Sequence, residues 1–210
     1  MDRIATAAPA AGTAPAPTAG RIGPNAITRT AEALDAALGA ATVADVFGRA
    51  GLQGYLGNPP QDMVDETEVL RLHAVLYERL PAHLAARVGR DAGRRTGDYL
   101  LAHRIPRSVQ RLLRLSPPWA ASRVLLAAIK KNAWTFAGTA HFCARGARPV
   151  HVRMTGCPLC RGAVACAPRC DFYAGCFERL FQSLVHRRAH VAETACQACG
   201  AAACCFVIDW

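Results

Sequence analysis

All ten cysteines of this 210-residue chain lie between Cys143 and Cys205, and the preceding 142 residues contain none. That distribution constrains the fold more than any other feature. A segment this rich in thiols is built around them, through metal ligation, disulfides or packing. The opening segment, MDRIATAAPAAGTAPAPTAG, has no continuous apolar stretch, and Pro9, Pro15 and Pro17 interrupt it. It reads as a flexible tail over residues 1–20 and not as an export signal. A cytoplasmic, reducing location follows as the expectation. There, clustered thiols serve as metal ligands or buried side chains more often than as disulfides.

Two ligand patterns compete. The first uses two Cys-x-x-Cys steps, Cys157-Pro-Leu-Cys160 and Cys196-Gln-Ala-Cys199, whose two-residue spacers let paired thiolates face one Zn²⁺. The second uses Cys170, Glu193, Cys196 and Cys204, three thiolates and a carboxylate. On spacing alone the first is the more generic zinc pattern. Either would hold a structural zinc. Cys143, Cys166, Cys176 and Cys205 are left as packing residues.

The rest of the chain reads as helical. Ile27, Ala31, Leu34 and Leu38 share a stripe on a helix from Ala26 to Leu38, which Gly39 stops. Thr42 is expected to cap a short helix through Phe47. A stronger helix spans Asp62 to Leu80, with Val69, Leu72 and Leu76 inward and Glu66 outward. Further helices are expected over His83–His103, Arg107–Leu115 and from Pro118 to Asn132. Beyond Trp134 the pattern turns to strands, over Thr135–Ala144 and Pro149–Thr155. An amphipathic helix follows from Asp171 to Arg187. Strands over Val191–Ala195 and Cys204–Ile208 close the chain. The expected class is α+β: a helical part over residues 21–133 packed with a small antiparallel sheet in a cysteine-rich core over 134–210.

The formal net charge is +10, which favours acidic partners. No apolar run approaches the roughly 20 residues of a membrane span. No glycine-rich phosphate loop of either the dinucleotide or the nucleotide-triphosphate type is present.

Arg21-Ile22-Gly23-Pro24-Asn25-Ala26 resembles the opening of the bacteriochlorophyll-synthesis protein called 4-vinyl reductase. Cys170-x4-Gly175 resembles the 4-vinyl reductase domain, as does the run from Val191 through Glu193-Thr194-x-Cys196 to Cys204-x-Phe206-x-Ile208. The resemblance implies an α+β fold shared with a vesicle-tethering subunit, often dimeric, and also found in sensor modules of aromatic-responsive transcription activators. In those modules zinc is held by a Cys, a Glu-x-x-Cys and a further Cys, which carries over onto Cys170, Glu193, Cys196 and Cys204. The resemblance also implies a chlorophyllide-type tetrapyrrole as partner, such as divinyl protochlorophyllide, alongside other enzymes of the pathway and at the periphery of the photosynthetic membrane. The implied reaction is reduction of a vinyl group to ethyl. That needs a hydride or electron source, so a pigment-binding carrier is the competing expectation and a small-molecule sensor the alternative. Nucleic acid is not expected as a partner. His141 and His151, on the two strands of one hairpin, are candidates for a ligand contact or an axial nitrogen.

Overall fold

The computed structural model describes residues 20–146 and 148–210, so the 1–20 tail lies almost wholly outside the described residues. A two-stranded ribbon, β1 (Arg21–Ile22) with β2 (Val64–Asp65), brackets the first helices. These are α1 (Asn25–Leu38), α2 (Ala40–Arg49) and the single turn α3 (Gly54–Gly57). Then come α4 (Glu66–Arg79), α5 (Ala82–His103), α6 (Arg107–Leu115), α7 (Pro118–Lys131) and a short turn α8 (Trp134–Ala137). The second half holds β3 (His141–Arg145), β4 (Val150–Thr155), α9 (Asp171–Leu184), β5 (His190–Ala195) and β6 (Cys204–Asp209).

The helices start and stop for local reasons. Gly39 takes φ +81°, a conformation open to glycine, and its N–H returns to the Asp35 carbonyl to close α1. Asp65 caps α4, its carboxylate accepting the Thr67 N–H at 2.8 Å. Proline precedes α5, α6 and α7, where its missing N–H costs nothing. Thr42 does not cap α2 as expected. The helix begins before it, and its hydroxyl bonds the Leu38 carbonyl four residues back.

The long helix α5 packs directly on α9. Gly89, Gly93 and Gly97 repeat every four residues along α5 and face α9. A β-carbon at Gly93 would stand 2.0 Å from the Phe172 carbonyl oxygen, and one at Gly175 would stand 2.2 Å from that of Arg90. The two backbones therefore touch, and only glycine permits it. Beneath α9 lies a four-stranded antiparallel sheet in the order β3-β4-β6-β5. Period-two alternation sends Val150, Val152 and Met154 of β4 and Cys204, Phe206 and Ile208 of β6 inward against α9. Tyr173, Phe177 and Phe206 meet there, with ring centroids 5.8–6.4 Å apart. The outer face of the sheet has no helix over it among the described residues.

The α+β expectation holds, with the helical part and the sheet joined through α9. Two local expectations fail. The strand expected over Thr135–Ala144 begins only at His141, because Trp134–Ala137 forms a helical turn. That turn uses its carbonyls elsewhere: Thr135 accepts from the Gly23 N–H and Phe136 from the Tyr173 hydroxyl. Glu66, expected outward, is buried. It accepts from the Thr139 N–H and hydroxyl and pairs with Arg161 at 2.9 Å. Burial pushes its pKa up, but the Thr139 and Arg161 donors more than offset this and leave it below the ordinary carboxylate value.

A candidate metal centre of clustered cysteines

Four elements deliver thiols to one point. Cys157 and Cys160 stand on the turn after β4, oriented by Gln197, whose side-chain carbonyl accepts the N–H groups of Gly156 and Cys157. Cys170 stands at the N-terminus of α9. Cys196 ends β5, and Cys204 opens β6. All five are at most 1% exposed. Cys170 Sγ lies 3.6 Å from Cys157, 3.9 Å from Cys196 and 3.6 Å from Cys204. Cys160 Sγ lies 3.4 Å from Cys204 and 3.9 Å from Cys196. Thiolates held tetrahedrally at about 2.3 Å from zinc stand about 3.8 Å apart, so the cluster has the dimensions of a metal cage.

Glu193 completes the surroundings. Its Oε2 accepts the Cys170 N–H at 2.7 Å, which also places a carboxylate at the positive end of α9. Its Oε1 is buried and has no partner. An orphaned buried oxygen beside thiols is what a cation would satisfy. Burial first, and then the neighbouring Cys196, push this carboxyl up to about 8. The thiols also share protons unevenly. Hydrogen bonds from Cys157 and its neighbours hold Cys160 low, while the same contacts raise Cys170. The arrangement is a buried group of donors able to hold a metal ion.

The set Cys170, Glu193, Cys196 and Cys204 converges as a whole, with ligand atoms within 4.8 Å of one another. The set Cys157, Cys160, Cys196 and Cys199 does not. Cys199 is exposed on the turn after Cys196 and points out of the cluster. Its partners Cys157 and Cys160 instead join Cys170 and Cys204 in a second converging quartet. The sequence did not signal that merger, because Cys-x-x-Cys spacing says which thiols can share an ion and not which turn meets which. Of the four cysteines read as packing residues, only Cys176 is buried; Cys166 is exposed, and Cys143 and Cys205 are half-buried on the outer sheet face.

His141 and His151 do not converge. Both are exposed, and their registry partners are Thr155 and Arg145. His151 lines a shallow cleft of about 410 Å³ on the outer face of the sheet, with Arg145, Arg153, Cys143, Cys205 and Val207.

Known proteins share this sequence pattern. The 4-vinyl reductase domain matches residues 150–209, which span β4 to β6 and every donor just described. A protein of Cereibacter sphaeroides called bacteriochlorophyll synthase 23 kDa chain is 42% identical over 186 residues, 89% of each chain. The chain belongs to this family. The Rhodobacter capsulatus protein of the same name is 38% identical over 200 residues, 94% of this chain and 92% of its own. In fold, this member of the bacteriochlorophyll synthase 23 kDa chain family is similar to a mutant H-NOX protein of K. algicida in its Fe(II) unliganded form. The TM-score is 0.56 over 89% of this chain and 95% of that one, at 11% identity. The likeness is one of fold, and the vesicle-tethering comparison rests on the sequence resemblance alone. No helix among the described residues is long and apolar enough to cross a membrane.

Proposed function

We propose that this chain is an accessory protein of bacteriochlorophyll synthesis that binds and presents a divinyl tetrapyrrole intermediate, with a zinc ion as a structural staple. One observation carries the accessory reading. The donor cluster is enclosed on every side by protein and has more thiols than a tetrahedral ion needs, so it leaves no coordination position for a substrate. Zinc held by Cys170, Glu193, Cys196 and Cys204 would lock the start of α9 to both strands of the closing hairpin. It would give Glu193 Oε1 its missing partner. Its chemistry there is charge compensation and folding energy.

The pigment is assigned to the outer cleft of the sheet. Such a ligand is flat, with a carboxylate and a magnesium ion. The cleft offers the imidazole of His151, the guanidinium groups of Arg145 and Arg153, and an apolar floor at Val207. A pathway enzyme is the partner that would receive the pigment, a reading supported by the relatives' name as one chain of a synthase.

The test mixes the purified protein with divinyl protochlorophyllide, with and without NADPH and reduced ferredoxin. A saturable red shift without turnover, lost in His151→Ala with Arg153→Gln, is expected. Ethyl product that depends on this protein alone would refute the accessory role. Metal analysis is expected to give about one zinc per chain. Loss of zinc in Cys160→Ser with retention in Glu193→Gln would move the fourth ligand from Glu193 to Cys160.

A further inference from the structure

From Tyr99 to Cys170 the chain carries no Asp or Glu but twelve Arg and Lys. Two helices in this stretch, α6 and α7, present apolar side chains to solvent. On α6, Val109, Leu112 and Leu115 lie along one exposed strip, with Leu112 66% and Leu115 86% exposed. Only Gln110 and Leu113 on this helix turn inward. Beside the apolar strip run Arg107 and Arg111, which have no carboxylate partner among the described residues. Helix α7 continues the pattern. Trp119 in its first turn is 57% exposed with the Arg123 guanidinium 5.7 Å from its ring centroid, and Val124 is 53% exposed. Lys130 and Lys131 follow on the same helix, both exposed.

Leucine and tryptophan in solvent, flanked by unpaired cations, is the composition of a helix that lies in a membrane interface. The indole suits the headgroup level, the leucines reach the acyl boundary, and the cations meet anionic headgroups. A protein partner would need its own dense acidic surface to match a stretch so uniformly basic, whereas an anionic bilayer supplies that charge everywhere. We infer that the α6–α7 face docks this protein on an anionic lipid surface. The docking is peripheral, and it uses Leu112, Leu115 and Trp119 as the inserted groups with Arg107, Arg111 and Arg123 as the headgroup contacts. The inference goes beyond the pigment-carrier reading and does not depend on it, because none of these residues lines the sheet cleft or the metal centre.

The test is vesicle co-sedimentation of the full, metal-loaded chain. The probes are phosphatidylcholine vesicles with and without about one-third phosphatidylglycerol, an anionic fraction large enough to set up a surface potential. Preferential binding to the anionic vesicles, weakening as salt rises, is expected. Leu112→Ser with Leu115→Ser is expected to lower the partition coefficient at least tenfold, as is Arg107→Gln with Arg111→Gln. Both pairs are exposed, so thermal melts should match the parent and separate docking from folding. Equal binding to neutral and anionic vesicles overturns the inference, as does no binding at physiological salt, the outcome if the face serves a protein partner. Loss in the arginine variant alone also overturns it, since diffuse attraction without insertion would explain that result.

Discussion

His73 offers a sharp test of the packing beneath the metal centre. It is 1% exposed on α4, its ring meets Phe172 edge-on at 5.9 Å, and its Nε2 has no partner. Burial, and next the positive charge of Arg169, pull its pKa down to about 4 from an ordinary 6.5. The folded protein therefore binds fewer protons here than the unfolded chain. Stability from this group is whole above pH 6.5 and is lost as pH falls from there towards 4. With those two values the loss is about 2 kcal/mol between pH 7 and pH 5, and about 3 kcal/mol by pH 4. His73→Leu keeps a side chain of similar bulk and removes the titration. Urea unfolding of the parent and the variant at pH 7, 6 and 5 isolates the effect, because acid release of a metal would affect both proteins alike. The parent should lose about 2 kcal/mol more than the variant, which is roughly 4–8 °C in melting temperature for a chain of this size. Parallel pH profiles would refute the claim that His73 is held neutral by burial.

Cys204→Ser should lose the metal and unfold cooperatively at lower denaturant, since Cys204 belongs to both converging quartets; metal analysis and circular dichroism report the two together. Gly93→Ala should destabilise by about 3 kcal/mol or fail to fold, because its methyl would meet the Phe172 carbonyl; a soluble variant with an unchanged melting temperature would contradict the α5–α9 contact. Glu66→Gln should cost about 1.5–3 kcal/mol in urea unfolding at pH 7, the range for hydrogen bonds to a charged group.

Periodicity made most helices legible. Helices α4 to α7 start and end close to where prolines and apolar stripes put them, and the closing hairpin turns at Gly200 as expected. Three features were hidden because they depend on distant partners. Glu66 looks like an ordinary first-turn acid until Thr139 and Arg161 bring their donors to it in the interior. Thr135 and Phe136 have strand-forming side chains, but their carbonyls are claimed by the chain just after β1 and by α9. At the metal centre, Cys170, Glu193, Cys196 and Cys204 were legible through the spacing of a recognisable family. The addition of Cys157 and Cys160 to the same cluster was not, because it depends on how the turn after β4 folds against Gln197. Spacing alone favoured Cys199, which the 3-10 turn at Gln197–Cys199 carries outward.

The glycine seam between α5 and α9 also has a consequence in time. Helix α5 is complete at His103, and its partner does not begin until Asp171. At about 5–20 residues per second a ribosome needs roughly 3–14 seconds to make the intervening stretch. Throughout that interval the small-residue face of α5 has been synthesised and its counterpart has not. Side-chain burial there waits on the last quarter of translation, the same quarter that contributes Cys170, Glu193, Cys196 and Cys204. The helical half is thus completed late, and a ribosome stalled between the two helices would display an unfinished surface for chaperones to hold.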